Sequence, residues 1–307
     1  MADYHFGVEI EVLVKPHKIR NPLSDKHALY YEKLAAALRN RGLKAKADKL
    51  LGNYGKHPEH YDKWWITKDS SLGEHEILIP MEAVSPVLGC RQNWESEIDT
   101  FWAAMRAVFH MPEQSAKCGS HFHISGGWNN KFTLSQFKTI AYGIVIYEPL
   151  IIDLLMKTRT NNEYCRPNTE NSPYLRDCGS NRVAIAELIE SATNAEMLQK
   201  FMQENRYVLW NFGNIVPGRS GTIEFRGGRC LRGEIRTKRW IAFTIAIIHA
   251  FLSMNDLKHP NRISLASWSP QAFYELVKKH ARQLSMGDLL PDDYRELNES
   301  TRNNRSN

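Results

Sequence analysis

Three short segments of this chain alternate with a period of two: Gly7-Val8-Glu9-Ile10-Glu11, Ser120-His121-Phe122-His123-Ile124-Ser125 and Thr222-Ile223-Glu224-Phe225-Arg226. A strand sends residues i and i+2 to the same side. Glu9 and Glu11 therefore point together, as do His121 and His123, and as do Thr222, Glu224 and Arg226. The residues between them are apolar and can pack under helices. One face of a sheet built from these strands would carry carboxylates, imidazoles and a guanidinium.

Carboxylates gathered on one face repel one another, and burial raises the cost of keeping them ionised. Divalent cations remove the conflict. Carboxylate oxygens suit Mg²⁺ and Mn²⁺, and a single His in the set is compatible with Mn²⁺. Metal ions beside an arginine make a site for a polyphosphate. Each motif has a plainer reading: an edge strand for ExE, a core histidine for HxH, an ordinary amphipathic strand for TIEFR. Their occurrence together in one chain carries the metal reading. Glu82, in Met81-Glu82-Ala83-Val84-Ser85-Pro86, is flanked by apolar residues in a strand and needs a partner. Asp69, in Trp65-Ile66-Thr67-Lys68-Asp69-Ser70-Ser71-Leu72, is read equally well as a turn or capping residue.

Around these motifs the pattern predicts strands over Phe6–Val14, Leu43–Ala47, Trp64–Lys68, Glu76–Val84, Gly119–Ser125, Tyr207–Ile215 and Gly221–Arg226. Helices are predicted over His27–Arg41, closed by Gly42, and over Asn93–His110, Leu134–Met156 with a break or kink at Pro149, Val183–Gln203 in two pieces, Glu234–Met254 and Pro270–Gln283. Leu51–Lys63 reads as a loop, and Thr158–Asn181 as a long polar connection containing Arg159, Arg166 and Arg176. Several strands follow one another without an intervening helix, so the expectation is an α+β fold with a largely antiparallel sheet. No linker or repeat is visible. A single domain over 1–295 and a polar, disordered tail over 296–307 are expected.

Composition narrows the class. The chain has 307 residues, 42% hydrophobic and 24% charged, which suits a folded globular protein. The net charge of +6 suits an anionic ligand without choosing among ATP, a phosphorylated substrate or nucleic acid. Five cysteines with no CxxC pair form neither a disulfide framework nor a zinc ribbon. No secretory signal opens the chain, and the apolar stretches Ile140–Met156 and Ile241–Met254 read as core helices, so a cytoplasmic location without a membrane span is expected. Both GxxxxGK[ST] and GxGxxG are absent, so an ATP site would be of another kind.

The order FGVEIE, WWITKDSSL, MEAVSPVL, CGSHFHIS, RTNNEYCRP, RYVLWNFGN and GTIEFRGG, from about Phe6 to about Trp240, resembles the amidoligase family, within the glutamine-synthetase-like group of carboxylate–amine ligases. The resemblance implies a curved, mostly antiparallel sheet packed with helices, holding ATP and Mg²⁺ (or Mn²⁺). It places Glu9, His121 and Glu224 on one metal, and Glu11 and Glu82 on a second. His123 and Asn211 fall on the nucleotide side, Arg226 on the transferring phosphate, and Arg159 on a phosphate or substrate carboxylate. Asp69 is the candidate acceptor of the amine proton. Glutamine synthetases carry a further glutamate soon after the one matching Glu82. Here Val87-Leu88-Gly89-Cys90 holds no acid, so Asp69, Glu76 or water would complete that site. The segment after TIEFR, GGRCLRG, is more basic than the family pattern.

The implied reaction phosphorylates a carboxylate with ATP and lets an amine displace the phosphate, giving an amide. The carboxylate and amine could belong to a small molecule, a peptide or a protein. Three other readings stay open. A metal-dependent hydrolase would use the HxH strand with zinc. An acyl-transfer enzyme would use Cys118 with His121 or His123 as base. A nucleic-acid-binding protein would explain the basic charge, although no nucleic-acid-binding signature accompanies it.

Overall fold

The structure, a computed structural model, describes residues 3–18, 27–49, 61–73, 75, 77–112, 115–127, 131–258 and 268–298. In chain order it first carries β1 (Tyr4–Val14), α1 (His27–Arg39), β2 (Ala45–Ala47), β3 (Trp64–Thr67), β4 (Ile79–Val84), β5 (Leu88–Gly89), α2 (Trp94–Val108) and β6 (Gly119–Gly126). There follow α3 (Leu134–Asp153), α4 (Lys157–Thr160), α5 (Asn168–Asn171), α6 (Pro173–Cys178), α7 (Arg182–Glu190), α8 (Ala195–Met202), β7 (Trp210–Asn211), β8 (Ile223–Arg229), α9 (Glu234–Ser253) and α10 (Pro270–Gln283). The contacts divide the chain into two compact units. A sheet unit takes Ala2–Asn130 and Gly228–Lys238, and a helical unit takes Lys131–Gly227 and Arg239–Asn307.

In the sheet unit the strands run in the order β2-β3-β4-β1-β6, with β5 also paired to β1. Every one of these pairings is antiparallel except β2 with β3. The alternation of β1 works as its sequence requires. Val8, Ile10 and Val12 are fully buried, while Glu9 and Glu11 remain partly open. Helices cover the apolar side. In α2 the buried residues Trp94, Ile98, Phe101, Trp102 and Met105 recur at helical spacing. Trp94 meets Phe6 edge-on at 5.4 Å, and Phe101 stacks on Trp64 of β3 at 4.1 Å. In α1, Tyr30, Tyr31, Leu34, Ala35 and Leu38 are buried. Gly42, at φ +88°, follows α1 in the left-handed region that a side chain disfavours.

The helical unit is built around α3. Thr133 and Gln136 close its N-terminus with a reciprocal capping box. The helix runs through Pro149 to Asp153, so of the break or kink expected there the break does not occur. Two residues before the proline, Tyr147 stacks on Phe251 at 5.7 Å and on Phe273 at 5.4 Å. Gly143 lets α9 approach: a Cβ there would lie 2.5 Å from the Phe251 ring. The pair β7 and β8 is antiparallel. The chain is thus mixed α and β with mostly antiparallel strands. Among the described residues no helix is long and apolar enough to cross a membrane.

Thr158–Asn181 departs from the expected polar connection: it folds into α4, α5 and α6. The local pattern hides them because α4 and α5 have only four residues each and no apolar stripe. Their support is tertiary. The buried Glu148 carboxylate accepts from Asn168 N at 2.6 Å and Thr169 N at 3.0 Å, the first turn of α5. At the C-terminus, Leu297 is buried and Asn298 donates to the Leu154 carbonyl at 2.8 Å. Most of the Leu51–Lys63 loop, Glu76 and residues 299–307 lie outside the described residues.

Burial pushes the Glu148 carboxyl up from 4.5 to about 7, against the Thr169 and Asn168 hydrogen bonds that lower it. The native state therefore holds this proton more tightly than the unfolded chain. The stabilisation is complete below pH 4.5 and is lost as pH rises toward 7. The loss amounts to about 3 kcal/mol. Urea titrations at about pH 5 and about pH 8 should show wild type losing stability across this window, and Glu148→Gln varying much less.

Candidate functional site

The polar side of the sheet unit collects the charged residues that the sequence placed on β1, β4 and β6. The register fixes who faces whom: Glu11 lies opposite Glu82, Glu9 opposite His121, and Gly7 opposite His123. His121 Nδ1 is 2.8 Å from Glu9 Oε2, and its Nε2 is 3.5 Å from Glu11 Oε1. A neutral imidazole has one N–H and can donate to only one of these carboxylates. The other nitrogen then faces an oxygen, lone pair to lone pair, unless the ring takes a second proton or a cation lies between. His123 Nε2 meets Glu9 Oε1 at 3.0 Å. The backbone N–H of Gly119 donates to Glu11 Oε2 at 3.1 Å.

The electrostatics follow. Burial pushes the Glu9 carboxyl up, but the His123 charge and the hydrogen bonds from His121 and His123 outweigh it and hold Glu9 well below the usual carboxylate range. Glu9 thus stays an anion despite its surroundings. Three glutamates and two imidazoles on neighbouring strands form an oxygen-rich donor set, and two of the glutamates face each other directly. Cross-strand like charges are unfavourable by themselves. Carboxylate oxygens are the ligand type that a hard divalent cation such as Mg²⁺ or Mn²⁺ takes.

In the helical unit, the TIEFR strand arranges its polar side as its alternation requires. Arg226 Nη1 donates to Glu224 Oε1 at 2.6 Å. Glu224 is buried, and its other oxygen accepts from Asn211 Nδ2 at 2.6 Å, the residue opposite it in the β7–β8 register. Asn211 is itself held, because its Oδ1 accepts from Gln203 Nε2 at 2.7 Å and Gly213 N at 2.8 Å. Asn211, expected on the nucleotide side, thus orients Glu224. Gln203 is not marked as a site residue by the sequence, since it follows the end of α8 and falls just outside the RYVLWNFGN motif.

Arg159 is 3% exposed. Its Nη2 donates to the Arg226 carbonyl at 2.7 Å, its Nε makes no hydrogen bond, and no carboxylate pairs with it among the described residues. A buried guanidinium without a counter-ion is costly unless an anion meets it. Arg226 Nε donates to the Tyr164 carbonyl at 3.3 Å, so the RTNNEYCRP segment, which contains Arg159, also contacts Arg226.

Asp69 is placed as a cap. Its side chain accepts from Ser71 N at 2.8 Å and Ser71 Oγ at 2.7 Å at the start of a 3-10 turn over Ser70–Leu72. Cys118 is 1% exposed, and contact with Cys230, then burial, push its thiol above its ordinary value. A nucleophilic cysteine needs an accessible thiolate, which these surroundings oppose.

Compared with known proteins, residues 2–248 match the sequence model of a family described as "putative amidoligase enzyme". A search of curated proteins finds no match.

The Asn211–Glu224 contact is directly testable. Asn211→Ala removes one charge-assisted hydrogen bond from a buried carboxylate and should cost about 1–3 kcal/mol in chemical denaturation. A loss below about 0.5 kcal/mol would mean that Glu224 does not depend on this amide.

Proposed function

Because this chain belongs to the amidoligase family, a family of amide-bond-forming ligases, we propose that it is an ATP-dependent carboxylate–amine ligase working through an acyl phosphate. The observation that carries the proposal is Glu11 facing Glu82 while His121 spans Glu9 and Glu11. That arrangement asks for a cation, and cations are what a triphosphate requires.

In this reading Glu9, Glu11, Glu82, His121 and Glu224 hold Mg²⁺ or Mn²⁺. The bound metal would offset the charge of the phosphates. His123 stands on the nucleotide side. Asn211 acts by holding Glu224 in one orientation, since its amide is committed to that carboxylate. Arg226 stabilises charge on the transferred phosphoryl group, and Arg159 supplies buried positive charge for a phosphate or for the substrate carboxylate.

A substrate carboxylate oxygen attacks the γ-phosphorus, and the bond from phosphorus to the ADP oxygen breaks. An amine nitrogen then attacks the acyl carbon, the carbon–oxygen bond to phosphate breaks, and the amine gives up a proton. Water must be kept from the acyl phosphate, which would otherwise be hydrolysed. Asp69, occupied by Ser71, is better suited to shaping its turn than to taking that proton.

Two measurements test the proposal. A non-hydrolysable ATP analogue with Mg²⁺ or Mn²⁺ should raise the melting temperature of wild type, by the equivalent of about 2.7 kcal/mol at 100 times its dissociation constant. Glu9→Gln and Glu224→Gln should each lose the metal-dependent part. ADP release should require both a carboxylate and an amine, and Arg226→Ala should slow it about 100-fold. Zinc in the purified protein together with no response to the ATP analogue would instead favour a hydrolase.

A further inference from the structure

Apart from the carboxylate face, the helical unit has a hollow of about 310 Å³ lined by Glu163, Tyr164, Arg166, Asn171, Asn205 and Tyr207. Its volume is at the small end for small-molecule sites and suits one compact ligand. The walls are braced. Arg166 N donates to the Tyr207 carbonyl at 3.2 Å, and Leu209 N donates to the Arg166 carbonyl at 2.7 Å. The buried Asn171 side chain accepts from Glu204 N at 2.9 Å and Asn205 N at 3.4 Å, and donates to Asn205 Oδ1 at 3.3 Å. Tyr164 and Tyr207 meet edge to face at 5.6 Å and form an aromatic corner.

The charges in this hollow are uncommitted. Neither the Arg166 guanidinium nor the Glu163 carboxylate takes part in an ion pair among the described residues, although both line the same space. The wall is also tied to the arginines already described. The Tyr164 carbonyl accepts from Arg226 Nε at 3.3 Å, the Leu209 carbonyl accepts from Arg226 N at 2.8 Å, and Cys165 Sγ donates to the Arg159 carbonyl at 3.3 Å. A ligand seated here would rest on the segments that position Arg159 and Arg226.

We propose that this hollow binds a zwitterionic amino acid or short peptide, and so selects a peptide-class substrate for the ligase. The free carboxylate pairs with Arg166, the ammonium with Glu163, and an aromatic or branched side chain packs on Tyr164 and Tyr207. The amides of Asn171 and Asn205 keep the site's shape. The substrate role rests on the ligase reading. The binding itself does not, and the experiment keeps the two apart.

Calorimetric titration with phenylalanylalanine, without ATP or metal, should give saturable binding to wild type. Amidating the C-terminus or acetylating the N-terminus should each weaken it about tenfold, the scale of one charge-assisted contact. Arg166→Ala should bind the free and amidated peptides equally, and Glu163→Gln should bind the free and acetylated peptides equally. Both positions are exposed, so circular dichroism should report unchanged folds. No saturable binding, or binding unaffected by both substitutions, would overturn the proposal. If the pattern appears but no carboxylate and amine pair ever drives ADP release, the hollow stands as a peptide site and the ligase reading falls. If ADP release requires such a pair but phenylalanylalanine and its derivatives bind alike, the ligase stands and the hollow is not its peptide site.

Discussion

The rest of the sheet unit is arranged around one electrostatic conflict: three glutamates on adjacent strands, two of them directly opposed. A protein cannot leave such a group in a partly buried place at no cost. Two devices ease it here. His121 and His123 bracket Glu9, and the Gly119 amide donates to Glu11. The arrangement leaves His121 between two carboxylates that a single N–H cannot serve. That residual mismatch is a reason to expect a cation, and it is independent of any resemblance.

The helical unit treats charge differently. Glu224 is nearly closed off from solvent, yet both its oxygens are assigned, one to Arg226 and one to Asn211. Gln203 fixes Asn211 in turn, so the carboxylate is oriented by a chain of amides rooted in helix and strand ends. Such full satisfaction rigidifies a site and limits the motion of the carboxylate. Arg159 is the counterpart, a buried cation with donors to spare. Both depend on segments whose helices are too short to be stable alone.

Most of the architecture was legible because it rests on local periodicity. The predicted limits of α10, Pro270–Gln283, are those observed, and those of α9 differ by one residue, because a long apolar stripe with clear stops overrides small uncertainties. The stretch Thr158–Asn181 was illegible for the opposite reason. The first turn of its α5 holds through Glu148, a partner on α3 that no local pattern in this stretch announces. Asp69 was ambiguous for a similar reason: an acid before two serines caps a turn or serves a site, and only its contact with Ser71 distinguishes them.

Which side chains share a side within each strand follows from the order of residues alone, because the period of two is a property of the backbone. Glu9 with Glu11, His121 with His123, and Glu224 with Arg226 were all readable in this way. Which residues meet across strands was decided by the tertiary structure. Glu11 against Glu82, Glu9 against His121, and Asn211 against Glu224 are matters of register. Register is set by where distant segments dock, and a shift of one residue would turn every polar group to the other face. The burial of Arg159 has the same origin, since no local pattern distinguishes it from the exposed Arg166 seven positions on.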